Sequence, residues 1–485
     1  MNIQFLIPPT DLNSSYGALK DFSNPQPSIG LAYMAAVLRD NGHQVSVTDA
    51  YAAQLGLDEI LAEVQTKQPD ILGISVLTSS AEVTRTIAQA MRQRFPQIKL
   101  VLGNVHASLF VDECLSEGDG DVVVHREGEY AMLDLVTAYQ NQKPLSEVLG
   151  ISFIDEQGQI VHNPQREAIR DLDALPYPAW DLFPHEFYST APRTEVQKGI
   201  VETQLLGTRG CPLPCTFCSS RSERSMGARY RMRSPDSVIN EMLYMNEKYG
   251  STVFTFMDLA FPLVKKHAVE LCERMIERGV HKRFQWTTEC RVRPLDEDLM
   301  VLLKEAGCVR LCFGIESGND QILKDIRKNF TVEDVKRAVY LAKKVGLEAD
   351  GMFMMGLPNE TQKEIDDTIT LATSVPLRYA IFNLFVPYPG CDLWDELNAQ
   401  NKIHFESWSE FTSYPTFSGG KPVFVPDGLD KDALMNLQKK AMRKYYFRPK
   451  FILQELGRFK PDMFKKYLSG LLGMLQTFNP SRSKP

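Results

Sequence analysis

A chain of 485 residues exceeds what one compact core holds, and the usual domain size points to about three units. With 44% hydrophobic and 24% charged residues the chain is not a disordered one, and a formal net charge of −7 argues against a general nucleic-acid binder. The opening Met-Asn-Ile-Gln-Phe-Leu-Ile lacks a basic leader and no apolar run reaches the length of a membrane span, so the 9 cysteines are expected in a reducing cytoplasm.

From residue 1 to about 150, strands alternate with helices. Strands are expected at 2–7, 44–49, 71–76, 99–103 and 121–124, with helices at 30–40, 57–67 and 81–95. This order predicts a doubly wound, Rossmann-like parallel sheet that binds ligands beyond the carboxyl ends of its strands. Three loops lie at that edge: Pro8-Pro9-Thr10, Thr78-Ser79-Ser80 and Gly103-Asn104-Val105-His106. Their small and hydroxylated residues let a large ligand approach the backbone and hydrogen-bond to it.

A connector over 151–200 carries a small strand pair (151–154, 160–161) and then Leu175-Pro176-Tyr177-Pro178-Ala179-Trp180-Asp181-Leu182-Phe183-Pro184. Its prolines forbid a regular helix and give a stiff path whose aromatic side chains are expected to pin it between units. From 201 to 400 the alternation resumes, with strands at 203–206, 252–257, 284–289, 310–315, 349–355 and 380–385 and helices between them. Six such steps predict a partial (β/α)6 TIM-like barrel, whose function gathers at the strand carboxyl ends. Those ends carry Asp258, Glu289, Arg291, Glu316, Ser317, Gly356 and the run Pro387 to Gly390. Arg229, Arg231 and Arg233 read as a solvated basic face or as a hold for an acidic substrate group.

Beyond residue 400 the sequence turns irregular and aromatic-rich (Phe405, Trp408, Phe411, Tyr414, Phe417), followed by expected helices at 431–446, 451–458 and 462–478 and a polar end at 479–485. The last helices are amphipathic. They fit packing on the enzyme's own body, and also a peripheral membrane contact or a cover over an apolar substrate.

The first barrel strand runs into Cys211-Pro212-Leu213-Pro214-Cys215-Thr216-Phe217-Cys218, a C-x3-C-x2-C spacing on a proline-stiffened turn. Three thiolates this close suit a soft metal centre that keeps one position open; a zinc site with a distant fourth ligand, or three packed thiols, are the plainer readings. The spacing, with Phe217 before the last cysteine, resembles the radical S-adenosylmethionine (SAM) superfamily. In that family the free iron of a [4Fe–4S] cluster on these cysteines chelates SAM, and an electron cleaves it to a 5′-deoxyadenosyl radical. By the same resemblance Asp258 takes the SAM amino group, Arg291 its carboxylate, Glu316 and Ser317 ribose or methionine, and Gly356 lies in the adenine-binding segment.

The first unit, placed directly before such a cluster, resembles the cobalamin-binding domain of B12-dependent radical SAM enzymes. The likeness rests on the opening Pro-Pro, on Pro27 to Tyr33, on Gly103-Asn104-Val105-His106 and on Glu127-Gly128-Glu129. It implies cobalamin contacts at Pro9, Thr78, Ser79, Gly103, Asn104, His106 and Glu127. The Asp-x-His-x-x-Gly signature that supplies an axial histidine elsewhere is absent, so cobalamin is expected without histidine on cobalt, and His106 and His125 read equally as hydrogen-bonded loop histidines. The resemblance implies a cytoplasmic methyltransferase in which the radical takes hydrogen from an unactivated carbon and methylcobalamin delivers a methyl group. An electron donor such as flavodoxin or ferredoxin is implied too. The anaerobic magnesium-protoporphyrin IX monomethyl ester cyclase group has a similar architecture and implies oxidative cyclisation as the alternative; a non-catalytic cobalamin or metal sensor is a third reading. The substrate is expected to be large and partly apolar.

Overall fold

The computed structural model describes residues 1–10, 25–188, 201–221 and 229–457. Two sheets organise it. The first contains β1 (Asn2–Ile7), β2 (Gln44–Asp49), β3 (Ile71–Ser75), β4 (Lys99–Gly103), β5 (Val122–Val124), β6 (Ile151–Ile154) and β7 (Ile160–His162), in the order β2-β1-β3-β4-β5-β6-β7. Its first five strands are parallel, as the alternation predicts, and β1, β3, β4 and β5 are near-continuous apolar runs because helices cover both faces.

The strand pair expected in the connector instead extends this sheet. Strand β6 pairs antiparallel with β5 (Val122↔Phe153) and β7 with β6 (Phe153↔Val161). Strand β5 is short and would leave an open edge, which the hairpin covers. The helix Glu129–Asn141, which the sequence does not mark, packs Ala131, Met132 and Leu135 into the core shared with the helix Ile29–Asp40.

The second sheet contains β8 (Val201–Leu205), β11 (Ser251–Phe261), β12 (Gln285–Cys290), β13 (Cys308–Glu316), β14 (Glu348–Met355) and β15 (Ala380–Leu384), all parallel and ordered as in the chain. This is the expected open half-barrel. Phe254, Phe256, Trp286, Phe313, Phe353 and Phe382 are fully buried beneath its helices. Local chemistry starts and stops those helices: Ser234 caps a helix with Pro235 in its first turn, Thr331 and Thr361 form capping boxes with Asp334 and Glu364, and Gly250 and Gly346 end helices in the left-handed region.

Strands β9 (Thr208–Arg209) and β10 (Arg231–Met232) pair antiparallel and bracket the cysteine loop. The proline run bridges the units as expected: Asp181 pairs with Arg39 at 2.6 Å and with Lys248 at 3.4 Å, while Trp180 and Phe183 are buried. The helix Lys431–Tyr446 packs outside β15, where Gln438 Nε2 donates to the Phe382 carbonyl at 2.8 Å and Tyr445 Oη to the Leu377 carbonyl at 2.8 Å. The helix Pro449–Leu456 follows it; the expected helix at 462–478 and the polar end at 479–485 lie outside the described residues. No helix among the described residues is long and apolar enough to cross a membrane.

Candidate active site

The cysteine loop is fastened at several points. Thr216 N donates to the Ile326 carbonyl at 3.3 Å, Leu393 N donates to the Thr216 carbonyl at 3.0 Å, and Cys218 N donates to the Cys215 carbonyl at 3.3 Å. Cys211, Cys215 and Cys218 are all free and half-buried, and burial together with the nearby Cys218 and Cys215 raises the Cys211 thiol. Among the described residues no three ligating side chains converge on one point, as a single bound ion requires. A [4Fe–4S] cube does not require it, because each thiolate holds a different iron, so the three thiols fit that group. The remaining six cysteines are buried, as expected of small hydrophobes; Cys391 also caps a helix by accepting from Trp394 N at 3.3 Å.

Beside the loop stand two cations. Arg291 Nη1 donates to Cys215 Sγ at 3.5 Å, Nη2 donates to the Lys328 carbonyl, and the guanidinium lies 5.7 Å from the Phe330 ring centre. Lys328, only 5% exposed, donates to Glu316 Oε1 at 3.0 Å and sits between Phe217 at 5.7 Å and Phe330 at 5.5 Å. Glu316 closes β13 with a φ of 68°, a strained backbone for a residue other than glycine. The structure thus brings Phe217, Arg291 and Glu316 together around the cysteines. Lys328 was not marked by the sequence; a buried lysine shows itself only once its partners are folded around it.

Two further carboxylates have an unexpected arrangement in common. Asp258 lies within β11 and is 1% exposed; its Oδ1 accepts from Gly207 N at 2.7 Å and Thr208 N at 3.1 Å, while Oδ2 is buried without a hydrogen bond. Burial raises its pKa to about 6 against the pull of those N–H groups. Glu360, in the run Gly356 to Thr361 that the sequence places at a strand end without a role of its own, is fully buried; its Oε2 accepts from Gly356 N at 2.7 Å and Leu357 N at 3.0 Å. Its Oε1 has no hydrogen bond, and burial raises its pKa to about 8. Each carboxylate therefore clamps a loop leaving a strand end. Gly356 holds a φ of 84°, and a Cβ there would lie 2.9 Å from Leu434, so the turn needs glycine. Ser317 is buried beneath this turn, 3.3 Å from the Thr368 hydroxyl.

At the carboxyl edge of the first sheet, Pro9, Ser79 and Gly103 are half-buried, Thr78 is buried, and Leu77 is 48% exposed. Asn104 is exposed with a φ of 77° and donates to Ser75 Oγ at 2.9 Å. His106 is 2% exposed between Phe110, at 4.7 Å, and Trp408, at 5.2 Å. Its Nδ1 has no hydrogen bond among the described residues, and burial, then Arg85, lowers its pKa to about 4. An open edge of small and hydroxylated side chains with one neutral, unpartnered ring nitrogen fits a large ligand such as cobalamin. His125 is spent elsewhere, with Nε2 2.8 Å from Ser152 Oγ.

Glu127, which follows β5 at the same edge, is bound differently. Its Oε2 accepts from Arg231 at 2.7 Å and from Ile169 N at 2.8 Å, and its Oε1 from Arg209 at 3.5 Å. Burial works against its charge, but the Arg231 hydrogen bond and both guanidiniums outweigh it and hold the carboxyl below its usual range. Arg231 and Arg233 are 7% and 5% exposed, so their expected role as a solvated face or a substrate hold gives way to buried ion pairs with Glu127 and Glu241; Arg229 alone of the run is exposed.

Fold and site define a radical SAM enzyme with a cobalamin unit. Residues 205–372 match the radical SAM superfamily and residues 18–136 match the B12 binding domain. The chain belongs to the cobalamin-dependent radical SAM enzymes, and its cofactors are a [4Fe–4S] cluster, SAM and cobalamin. It is 32% identical over 474 residues to an uncharacterized methyltransferase from Pyrococcus horikoshii, covering 97% of this chain and 98% of the relative. It is 28% identical over 454 residues to the anaerobic magnesium-protoporphyrin IX monomethyl ester cyclase of Rubrivivax gelatinosus, covering 92% of this chain and 78% of that one. Its fold resembles that of the radical SAM methyltransferase TsrM from Kitasatospora setae, solved with cobalamin and a [4Fe–4S] cluster, with a TM-score of 0.68 and 18% identity over 96% of this chain and 90% of the other.

Proposed function

We propose that the protein methylates an unactivated carbon of a large, partly apolar small molecule. The observation that carries this reading is the face of the second sheet opposite its buried aromatic side chains. There Met257 and Leu259 are 37% and 41% exposed on either side of Asp258, and Met352, Met354 and Ile381 lie half-buried on the same face. Polarisable, adaptable side chains at a strand end beside the cysteine loop suit an extended apolar substrate. When bound, the cluster with SAM supplies a 5′-deoxyadenosyl radical and cobalamin supplies the methyl group.

The residues of the chain have separate tasks in this scheme. Cys211, Cys215 and Cys218 hold the cluster. Arg291 places a fixed positive charge beside it and pairs with the SAM carboxylate; Glu316, oriented by Lys328, accepts from the SAM amino group or ribose. Asp258 and Glu360 hold the Gly207–Thr208 and Gly356–Leu357 turns that border the SAM site, and Ser317 supports the second of them. Pro9, Thr78, Ser79, Gly103, Asn104 and His106 line the cobalamin edge, with no histidine on cobalt.

Reductively activated protein supplied with SAM carrying a deuterated methyl group, and with an apolar metabolite extract, tests the reading. A product heavier by the labelled methyl is expected. A product that lacks the label but has lost hydrogen would establish the cyclase reading instead, and absence of 5′-deoxyadenosine would leave the sensor reading. In the Co(II) form, nitrogen splitting from a protein imidazole in the electron paramagnetic resonance spectrum would contradict the cobalt assignment. We also place the enzyme in the cytoplasm, with a flavodoxin or ferredoxin as electron donor. The exposed Ile452 and Leu453 on the helix Pro449–Leu456 favour a peripheral membrane contact, which co-sedimentation with anionic vesicles checks.

A further inference from the structure

Glu127 and Glu129 follow strand β5 of the cobalamin sheet, and their partners Arg209 and Arg231 lie directly opposite each other in the β9–β10 pair that brackets the cysteine loop. Arg209 Nη2 is 2.7 Å from Glu129 Oε1, and Glu129 is only 3% exposed. Arg231 Nη1 donates both to Glu127, at 2.7 Å, and to the Ile169 carbonyl, at 2.7 Å, while Ile169 N returns a hydrogen bond to the same Glu127 oxygen at 2.8 Å. Tyr33, from the cobalamin unit, lies 5.1 Å beneath the Arg209 guanidinium. Its hydroxyl is 3.3 Å from both Arg233 and Glu241 of the barrel.

We infer that this buried charge seam is a positioning device that sets the separation between the cluster and cobalt. Burial of several charged groups contributes little to net stability, so stability alone does not account for the arrangement. Paired and hydrogen-bonded in a buried seam, however, these groups restrict the relative placement of the elements that carry them. The geometry reaches both cofactors by short covalent paths. Arg209 is two residues before Cys211, and Glu127 and Glu129 follow the carboxyl end of β5, in the same edge that carries Gly103 and Asn104. Planar guanidiniums that each reach two acceptors fix orientation as well as distance, which is what two reacting centres facing one carbon require.

The inference rests on the two-cofactor reading, and its test separates the two. In the holoenzyme, Glu129→Gln should leave iron, cobalamin and reductive SAM cleavage unchanged. The dipolar coupling between the reduced cluster and Co(II), measured by pulsed paramagnetic resonance, should change from one narrow distance to a broad or longer distribution. In protein carrying neither cofactor, hydrogen exchange at the Ile169 amide should rise by about tenfold or more in Glu127→Gln, the effect of losing a charged hydrogen bond. An unchanged coupling with both cofactors bound, or unchanged exchange without them, overturns the seam's role. Wild-type protein that binds no cobalamin would fail the two-cofactor reading and leave the exchange measurement to decide the seam. Should either variant fail to fold, Tyr33→Phe removes only the hydroxyl between Arg233 and Glu241, and it should broaden the same distance to a lesser degree.

Discussion

The two sheets present their carboxyl edges with opposite chemistry. At the first, Ser79, Gly103 and Asn104 offer small surfaces and hydrogen bonds above a buried Thr78 and a neutral, buried His106, with the charges held back in the seam. At the second, Arg291, Lys328 and Glu316 surround the cysteines, and two buried carboxylates clamp the adjoining turns. A large ligand with many amide and hydroxyl groups needs the first kind of surface. A zwitterion bound at an iron cluster needs the second, where fixed charges do not have to reorganise. Both edges are the carboxyl ends of parallel strands, and their side chains set what each one holds.

The comparison is broken most completely at the cysteines. Alanine at Cys211, Cys215 or Cys218 should abolish cluster iron and 5′-deoxyadenosine formation while cobalamin content stays at the wild-type level, checked by metal analysis and absorption spectra of the same sample. Iron and activity that survived the triple substitution would remove the basis of the active-site assignment. Next in size, Arg291→Gln removes a charged donor beside Cys215 and should lower SAM cleavage by roughly 10- to 100-fold, largely as weaker SAM binding. Equal kcat with a raised KM is the expected split.

Trp408→Ala acts on the other edge. It opens the ring cluster around His106 and should cost roughly 1–2 kcal/mol of stability, seen as a lower melting temperature and faster loss of cobalamin with cluster iron unchanged. The smallest effect separates the two clamps by pH. Because burial raises Glu360 from its ordinary 4.5 to about 8, the native state keeps a proton that the unfolded chain releases. That contribution is fully present below about 4.5 and is lost as pH rises through about 8. Glu360→Gln should flatten the fall in stability between those limits, whereas a parallel curve for the two proteins would mean that the carboxyl does not titrate there. Asp258, raised to about 6, still contributes the lower part of the window in that variant.

Much of this was legible in the sequence because it is local. Apolar runs marked the six barrel strands and the first five strands of the other sheet, and the C-x3-C-x2-C spacing marked the site. What escaped depends on distant partners. Glu127 reads, through the family resemblance, as a cobalamin contact until Arg231, 104 residues on, is folded against it. Arg231 and Arg233 read as a solvated run, though strand pairing and the adjacent helix bury both. Asp258 reads as a group at a strand end, whereas β11 continues through it to Phe261 and turns its carboxylate back onto Gly207 and Thr208. The helix Glu129–Asn141 hides for a different reason: its apolar face is wide enough to blur the helical period.

Near the end of the described chain, Ser407 Oγ donates to Glu82 Oε2 at 2.7 Å and Trp408 N to Glu82 Oε1 at 3.1 Å, joining residues 325 and 326 positions apart. Contacts of that span form last in a chain made from its amino terminus, at a rate of roughly 5–20 residues per second. The cobalamin sheet is therefore complete on the ribosome for many seconds while its outer flank, later covered by Trp408, is still bare. Loading of the bulky corrinoid has that interval available to it, and synthesis of the final segment closes the interval.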